Sequence, residues 1–224
     1  MNKSLEVIIE ALPTLLAGAV VTLQLTAIAT VFGLAGGLLL GLARLSKLRL
    51  LRLASRIYID FFRGTPLLVQ LYIIYFGIPV LFKSFGIIFS FDQWTAAILG
   101  LSLNSAAYLA EIVRAGIQSI EVGQREAAGS LGLGGWQTMR YVILPQALRR
   151  MIPPLGNEFI ILLKDTSLVA VIGYQELFRN GQLVVAKNFR SFEIYGMVAI
   201  IYLLLTAFSS QVFSWLERKT TPVA

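Results

Sequence analysis

The sequence contains neither cysteine nor histidine. Without cysteine the chain forms no disulfide and has no thiol nucleophile, and without histidine it has no imidazole base. A zinc site built from these two residue types is excluded as well. The chemistry of this protein therefore depends on carboxylates, guanidinium groups, hydroxyls and amides.

Charged residues are scarce, at 14% of 224 residues, whereas soluble domains contain about 25%. Hydrophobic residues make up 57% of the chain, and its mean hydropathy is +0.76. Several stretches of 18 or more residues contain no charge at all. This distribution excludes an ordinary soluble enzyme, a disordered chain and a fibrous repeat. We therefore expect an integral membrane protein of the all-α class.

The uncharged stretches predict five transmembrane helices, since one crossing requires roughly 20 mostly apolar residues. The fourth is the least regular because it contains Glu158, Lys164 and Asp165. No linker or low-complexity tract divides the chain, so residues 1–224 are expected to form a single transmembrane domain. Two glutamates precede the first stretch, which is too long for a secretory signal, and we expect it to remain as a helix. The predicted crossings are 11–43, 64–82, 93–110 with its continuation, 151–177 and 194–216.

Lysine and arginine residues are unequally divided between the two sides of these crossings. The loops at 44–56 and 121–150 and the carboxy-terminal tail carry eleven of them, against five on the opposite side. Because cytoplasmic loops are enriched in basic residues, the amino terminus is predicted to lie outside and the carboxy terminus in the cytoplasm. The same asymmetry explains the net charge of +7, so the charge does not indicate a nucleic-acid partner. Membrane lipid is expected to surround the chain.

The connection at 121–146 is the longest predicted cytoplasmic loop, and its sequence has two helical patterns. We predict a short helix at 124–131, a glycine break at 132–135 and a second helix that ends near Pro145. Large apolar residues in this polar setting favour a docking surface for another protein over a helix lying on the membrane surface. These residues are Leu131, Leu133 and Trp136.

Short motifs in this loop resemble the signature loop of the membrane subunits of binding-protein-dependent ABC importers. They are Glu126-Ala127-Ala128, then Gly132, then Ile143-Leu144-Pro145, at the intervals of that family. In that family the loop inserts into a groove of the cytoplasmic ATPase. The resemblance therefore implies an ATPase-coupling surface made of Glu126, Ala127, Ala128, Leu131, Gly132 and Leu133.

Three further segments, 61–70, 104–111 and 164–168, narrow the resemblance to the polar amino acid branch, the histidine/glutamine/arginine-type permeases. The resemblance covers nearly the whole chain and implies five-helix subunits paired as a dimer in the bacterial plasma (inner) membrane. Two cytoplasmic ATPase subunits and an extracytoplasmic substrate-binding protein are the implied partners.

The sequence has no Gly-Lys pair, which a phosphate-binding loop needs. The chain is therefore expected to be a transport subunit and not an enzyme, without a cofactor of its own, while the partner ATPase binds ATP and magnesium.

Polar residues at membrane depth provide the candidate substrate site, because ionisable groups there face a bundle interior or water. Asp165 is the expected partner of the ammonium group of an amino acid. In the other interpretation the ionic residues only fix helix packing, so that Glu111 pairs with Arg114 and Lys164 neutralises an acid. The full set of candidate substrate-binding residues is Thr65, Asn104, Ser105, Tyr108, Glu111, Glu158, Asp165, Thr166 and Ser167.

Two of the crossings contain glycine or proline at positions that affect helix geometry or helix packing. The Gly-Thr-Pro sequence at 64–66 is expected to break the second crossing, and interrupted helices are where transporters often place their midplane sites. Arg63, just before the break, either meets a substrate carboxylate or pairs with Asp60, and we favour the pair with Asp60. In the first crossing, glycine at every fourth position between 33 and 41 predicts close contact with another helix.

Two functions from different classes fit these features. The first is the permease subunit of an ATP-driven importer, which forms half of the pathway for a polar or charged amino acid. The alternative is a stand-alone secondary transporter coupled to Na⁺ or H⁺, in which Asp165 or Glu111 carries the coupling proton. Five crossings are few for such a transporter, and it would have no ATPase for the loop at 121–146 to bind. The sequence leaves open which amino acid is carried, whether this chain itself binds it, and whether the paired subunits are identical or related.

Overall fold

The computed structural model describes residues 3–220, and every regular element in that range is a helix. Two π-helical segments, Ile73–Gly77 and Thr138–Ile143, and one 3-10 helix, Thr166–Ile172, continue neighbouring α-helices without a loop. The α-helices are α1 (Lys3–Leu45), α2 (Arg49–Gly64), α3 (Leu67–Tyr72), α4 (Ile78–Ser84), α5 (Gln93–Gln118), α6 (Val122–Ser130), α7 (Gly135–Gln137), α8 (Leu144–Asp165), α9 (Leu177–Asn188) and α10 (Ser191–Thr220).

Four stretches of helix in the described range are long and apolar enough to cross a membrane. The all-α membrane class is therefore confirmed. The fifth predicted crossing, 151–177, falls on α8 and the 3-10 helix that follows, and it is not among the four. Charged side chains within α8, such as Glu158 and Lys164, make it less apolar than the others, and the count of five stays a prediction. The four stretches are Glu6–Leu45, Leu67–Ser84, Gln93–Gln118 and Ser191–Thr220.

Helices α1 and α5 pack closely along the glycine positions of α1, as the four-residue spacing predicts. A Cβ atom added to Gly37 would lie 2.6 Å from the Cβ of Leu109 and 3.1 Å from the backbone nitrogen of Ala110. A Cβ atom on Gly33 would lie 2.9 Å from the hydroxyl oxygen of Ser105. Glycine is required here because any side chain would separate the two helices.

Helix α5 is the central helix, and its start is fixed by Asp92. The carboxylate of Asp92 accepts hydrogen bonds from the backbone nitrogen of Thr95 at 3.1 Å and from its hydroxyl at 2.6 Å. These bonds satisfy a free N–H of the first turn and lower the pKa of Asp92 below its usual value. Further along, Ala97 and Leu101 are fully buried against α1, α3 and the 3-10 helix. The polar face of α5 is thereby held in one orientation.

The loop at 121–146, which we call the coupling loop, differs from the prediction in its second helix. The first helix, α6, is present, and Gly132 follows it with φ +78, the left-handed conformation that suits glycine. The second helix begins at Gly135 but does not end near Pro145, because it continues as α8 to Asp165. Proline removes an N–H and crowds the preceding turn. Here Pro145 lies at the start of α8, directly after the widened π-helical turns, so the helix continues past it.

Glu176 joins three helices on the side of the molecule away from the coupling loop. Its buried carboxylate accepts hydrogen bonds from the backbone nitrogens of Phe178, at 2.9 Å, and Arg179, at 2.7 Å, and so caps α9. Tyr202 of α10 donates to it at 2.8 Å and Thr22 of α1 at 3.4 Å. The sequence analysis did not single out Glu176, because the two side chains that bond to it, those of Thr22 and Tyr202, are distant in sequence.

Candidate functional site

Two adjoining cavities lie between the α2–α3 break, α5 and α8. We call the first the break cavity, since Gly64, Thr65 and Pro66 line it; its volume is about 610 Å³. The second, of about 600 Å³, extends to Ser119 and Arg150 next to the coupling loop, and we call it the loop-side cavity. The two cavities share four wall residues, Arg63, Tyr108, Glu158 and Ile161. They therefore form one cleft along α5 and α8.

The structure brings most of the predicted substrate residues to this cleft. Glu111 lines the loop-side cavity. Five of the others line the break cavity: Thr65, Asn104, Tyr108, Glu158 and Asp165. The side chains come together because those on α5 share a helix face and those on α8 lie seven residues apart, which is two turns.

Three of the predicted residues lie elsewhere. Thr166 is fully buried, and its hydroxyl donates to the carbonyl of Leu163 at 2.7 Å. The hydroxyl of Ser167 donates to the carbonyl of Lys164, also at 2.7 Å. Ser105 is 1% exposed and faces α1. None of these three is among the residues that line the two cavities. A substrate role for them stays a prediction.

Gln70 and Asn104 satisfy the backbone groups that the helix break leaves free. The Gln70 side-chain amide donates to the carbonyls of Phe62, at 2.9 Å, and Thr65, at 3.0 Å. It also contacts the Thr65 hydroxyl at 2.9 Å. The Asn104 amide in turn donates to the Gln70 side-chain oxygen at 3.0 Å and to Phe62 at 3.3 Å. Asn104 therefore fixes the geometry of the cavity wall, and Gln70, which the sequence analysis did not select, is its main partner.

Glu111 is surrounded by three arginines from three helices. Arg114 pairs with its Oε2 through Nη2 at 2.7 Å and Nε at 3.0 Å, so the predicted ion pair is present. Arg44 Nε lies 3.7 Å from its Oε1, and Arg63 Nη1 lies 3.9 Å from its Oε2. Positive charge thus exceeds negative charge at this point. The Glu111 carboxylate is neutralised within the protein, which favours a packing role for it over ammonium binding.

Arg63 does not make the favoured pair with Asp60. Asp60 instead pairs with Arg56 of its own helix at 3.3 Å. The guanidinium of Arg63 lies 5.3 Å from the centre of the Tyr108 ring, in the wall shared by the two cavities. Tertiary packing of α2 against α5 therefore directs Arg63 into the cleft and makes it available to an anionic group.

Asp165 and Glu158 are the carboxylates of the break cavity, and neither takes part in the ion pairs among the side chains described, those of residues 6–220. Glu158 is 8% exposed and Asp165 is half-buried. Lys164, the neutralising partner in the packing interpretation, is exposed. Two carboxyl groups at membrane depth that face a cavity are candidate functional groups.

Some of the predicted ATPase-coupling residues are exposed to solvent and others are buried. Glu126, Ala127 and Gly132 are exposed, whereas Ala128 is buried and Leu133 half-buried. Leu131 is 81% exposed and Trp136 74% exposed. Apolar side chains so open to solvent next to an exposed carboxylate are typical of a protein docking surface. Ala128 contributes to the packing of α6 and not to the exposed surface.

Comparisons with known proteins show the family of this chain. Residues 33–222 match the family described as binding-protein-dependent transport system inner membrane component. The glutamine transport system permease protein GlnP of Escherichia coli (strain K12) is 46% identical over 209 residues, 93% of this chain and 94% of that protein. The probable amino-acid permease protein YxeN of Bacillus subtilis (strain 168) is 45% identical over 213 residues, 95% of this chain and 94% of that protein.

A solved structure, the crystal structure of an amino acid ABC transporter with histidines, has a chain 40% identical to this one. Its TM-score is 0.89, and the match covers 98% of this chain and 99% of that chain. The family is that of transport subunits and not of ATPases, and it does not favour the ion-coupled alternative. This chain therefore belongs to the family of binding-protein-dependent transport system inner membrane components, as a multi-pass ABC transporter permease subunit.

Proposed function

We propose that this permease subunit carries a polar or charged amino acid and that the break cavity is its binding site. The observation that carries the proposal is that Glu158 and Asp165 line the same cavity as Arg63. A free amino acid has one ammonium group and one carboxylate, which this set of charges complements. The similar proteins named for glutamine and amino-acid transport support the same substrate class.

The charges of the cleft favour one orientation of the substrate. The break cavity has two carboxyl groups and one guanidinium, so acidic groups outnumber basic groups there, whereas arginines outnumber carboxylates around Glu111. An ammonium group is stabilised in the break cavity, and a carboxylate is stabilised toward the arginines. We assign the ammonium group to Asp165 and the carboxylate to Arg63, whose planar guanidinium matches a carboxylate bidentately.

The partners follow from the family. An inner membrane component of a binding-protein-dependent system works with an ATPase and with a substrate-binding protein. The exposed surface of α6 fits the ATPase, which binds ATP and magnesium. The chain pairs with an identical or related subunit.

Replacing Asp165 by asparagine tests the binding site, since the change keeps the shape and removes the charge. Losing one charge-assisted hydrogen bond costs on the order of 1.5–3 kcal/mol, roughly ten- to hundredfold in affinity. We expect Asp165→Asn to raise the KM for uptake of the cognate amino acid by that factor. Assembly with the ATPase and basal ATP hydrolysis stay unchanged. Asp60→Asn is the matched control, since Asp60 is exposed and lies outside the cleft walls.

Two outcomes would contradict this assignment. If Asp165→Asn assembles normally and keeps its KM, the carboxylate does not bind substrate. If the variant instead fails to assemble while Asp60→Asn assembles, the carboxylate acts in helix packing.

The orientation proposed from the basic residues is tested with two single cysteines, which the native chain lacks. Ser130 at the end of α6 and Lys187 in α9 are both exposed. We expect an impermeant thiol reagent added outside intact cells to label Lys187→Cys and to spare Ser130→Cys. Permeabilised cells, in which both positions react, are the control. The reverse pattern in intact cells would show that the topology is inverted.

A further inference from the structure

Helix α2 has three different faces, and one of them packs against the protein. The helix lies against α1 and α5, and its buried residues, Ser55 and Ile59, are one turn apart. The hydroxyl of Tyr58 donates to the carbonyl of Leu103 of α5 at 2.8 Å. This packed face fixes the directions in which the other two faces point, since each residue of an α-helix has a set direction around its axis.

The second face of α2 is apolar and exposed, and we call it the leucine stripe. Its members follow one another at spacings of three or four residues, so they lie side by side along the helix. They are Leu50, Leu53, Ile57 and Phe61, which are 79%, 55%, 62% and 50% exposed. Large apolar side chains grouped in this way indicate a surface that another apolar group covers.

The third face of α2 is cationic. Arg49, Arg52 and Arg56 are spaced by three and four residues and are all exposed, as is Lys47 just before the helix. Arg56 pairs with Asp60 at 3.3 Å. Among the side chains of residues 6–220, those of Lys47, Arg49 and Arg52 take part in no ion pair. These three positive charges are therefore available to an anion.

The cationic face and the leucine stripe share a border at the coupling-loop end of the molecule. Leu53 lies four residues after Arg49 and three before Arg56, so it is a neighbour of both. Leu45, at the end of α1, packs with Ile143 of the coupling loop, which places the turn into α2 at the same end. A helix with an apolar face beside a basic face suits the boundary between the hydrocarbon and the headgroups of a membrane.

We propose that α2 binds an anionic phospholipid, whose headgroup meets Lys47, Arg49 and Arg52 and whose acyl chain covers the leucine stripe. A phospholipid has both required parts in one molecule, and the planar guanidinium of arginine matches a phosphate bidentately. A second copy of this chain suits the surface less, because a two-fold axis that brought two such faces together would oppose like charges. The inference does not depend on the proposed substrate site.

The test measures which phospholipid lies against α2 when the complete transporter is reconstituted in vesicles. Leu53→Trp places a fluorescent reporter on the leucine stripe, and brominated acyl chains quench a tryptophan that they contact. We expect brominated phosphatidylglycerol to bind there at least about tenfold more tightly than brominated phosphatidylcholine with the same chains, because three cations attract the anionic headgroup. The signal of the transporter without the reporter is subtracted, since the chain has three tryptophans of its own.

Leu203→Trp in α10 is the matched control. Leu203 is 65% exposed, and no lysine or arginine occurs between positions 190 and 218, so the two lipids should bind equally there. Replacing Lys47, Arg49 and Arg52 together by glutamine should remove the preference at Leu53→Trp. Arg49→Lys with Arg52→Lys keeps the charge and should retain it.

Three outcomes would overturn the inference. If neither lipid quenches Leu53→Trp while both quench Leu203→Trp, a protein covers the stripe, either a second copy of this chain or the ATPase. If the two lipids quench Leu53→Trp equally, the stripe contacts lipid without selecting an anionic headgroup. If the glutamine variant keeps the preference, the three cations do not bind the headgroup. Ile57→Trp, one turn further along the stripe, repeats the measurement should Leu53→Trp not assemble.

Discussion

Glu126→Lys is expected to abolish uptake and substrate-stimulated ATP hydrolysis while the subunit stays folded. Glu126 is exposed on α6, so reversing its charge changes no apolar burial within the chain. At a docking surface, a charge that faces a like charge or loses its partner costs several kcal/mol. A loss of 4 kcal/mol corresponds to roughly a thousandfold weaker association of loop and ATPase. The measurement is uptake and ATP hydrolysis by the purified transporter in liposomes.

Glu217→Lys, a charge reversal at an exposed position of α10, is the control for the Glu126 variant. It should retain coupling. Wild-type coupling in Glu126→Lys would show that the carboxylate does not contact the ATPase. A variant that is also unfolded, with a lowered thermal midpoint, would show that Glu126 stabilises the loop itself.

Gly37→Leu is expected to prevent the subunit from folding into a stable membrane protein. A Cβ atom added at this position would lie 2.6 Å from the Cβ of Leu109, so the three further carbon atoms of leucine have no space between α1 and α5. Overpacking costs typically about 1–3 kcal/mol and sometimes more, and it acts here on the contact that positions α5. We expect loss of monodisperse protein after solubilisation and, for any protein recovered, a lower thermal midpoint.

The same substitution at Gly196 is the matched control. Gly196 lies in α10, and a Cβ atom there meets nothing within 4 Å. Gly196→Leu should therefore retain normal yield and thermal stability. Equal yields of Gly37→Leu and Gly196→Leu would mean that α1 and α5 separate without cost and that the close contact is not needed.

The helices and the break between α2 and α3 could be predicted from the sequence because their signals are local. Long uncharged stretches require helices, and the Gly-Thr-Pro sequence at 64–66 ends one. The Glu111–Arg114 pair was also predictable, since residues three apart on a helix are neighbours. The helical spacing likewise placed Asn104, Tyr108 and Glu111 on the face of α5 that lines the cleft.

The partners of these side chains could not be predicted, because they come from distant parts of the chain. Asn104 is held by Gln70, which lies 34 residues earlier. Arg63 turns to Glu111 on another helix instead of to Asp60 on its own. The spacing of Ser105 did not show that it faces Gly33 of α1. Each of these outcomes depends on how α1, α2, α3 and α5 pack together, and the local periodicity of the sequence does not specify that packing.

The helix from Gly135 to Asp165 is uninterrupted, although it passes through a π-helical segment and three prolines. Its length is about 45 Å at 1.5 Å per residue. One end packs beside α6 in the coupling loop, and the other carries Glu158 and Asp165 at the break cavity. The coupling loop and the two carboxylates are therefore joined by one continuous helix, so a displacement of the loop would be transmitted along a single backbone to the break cavity.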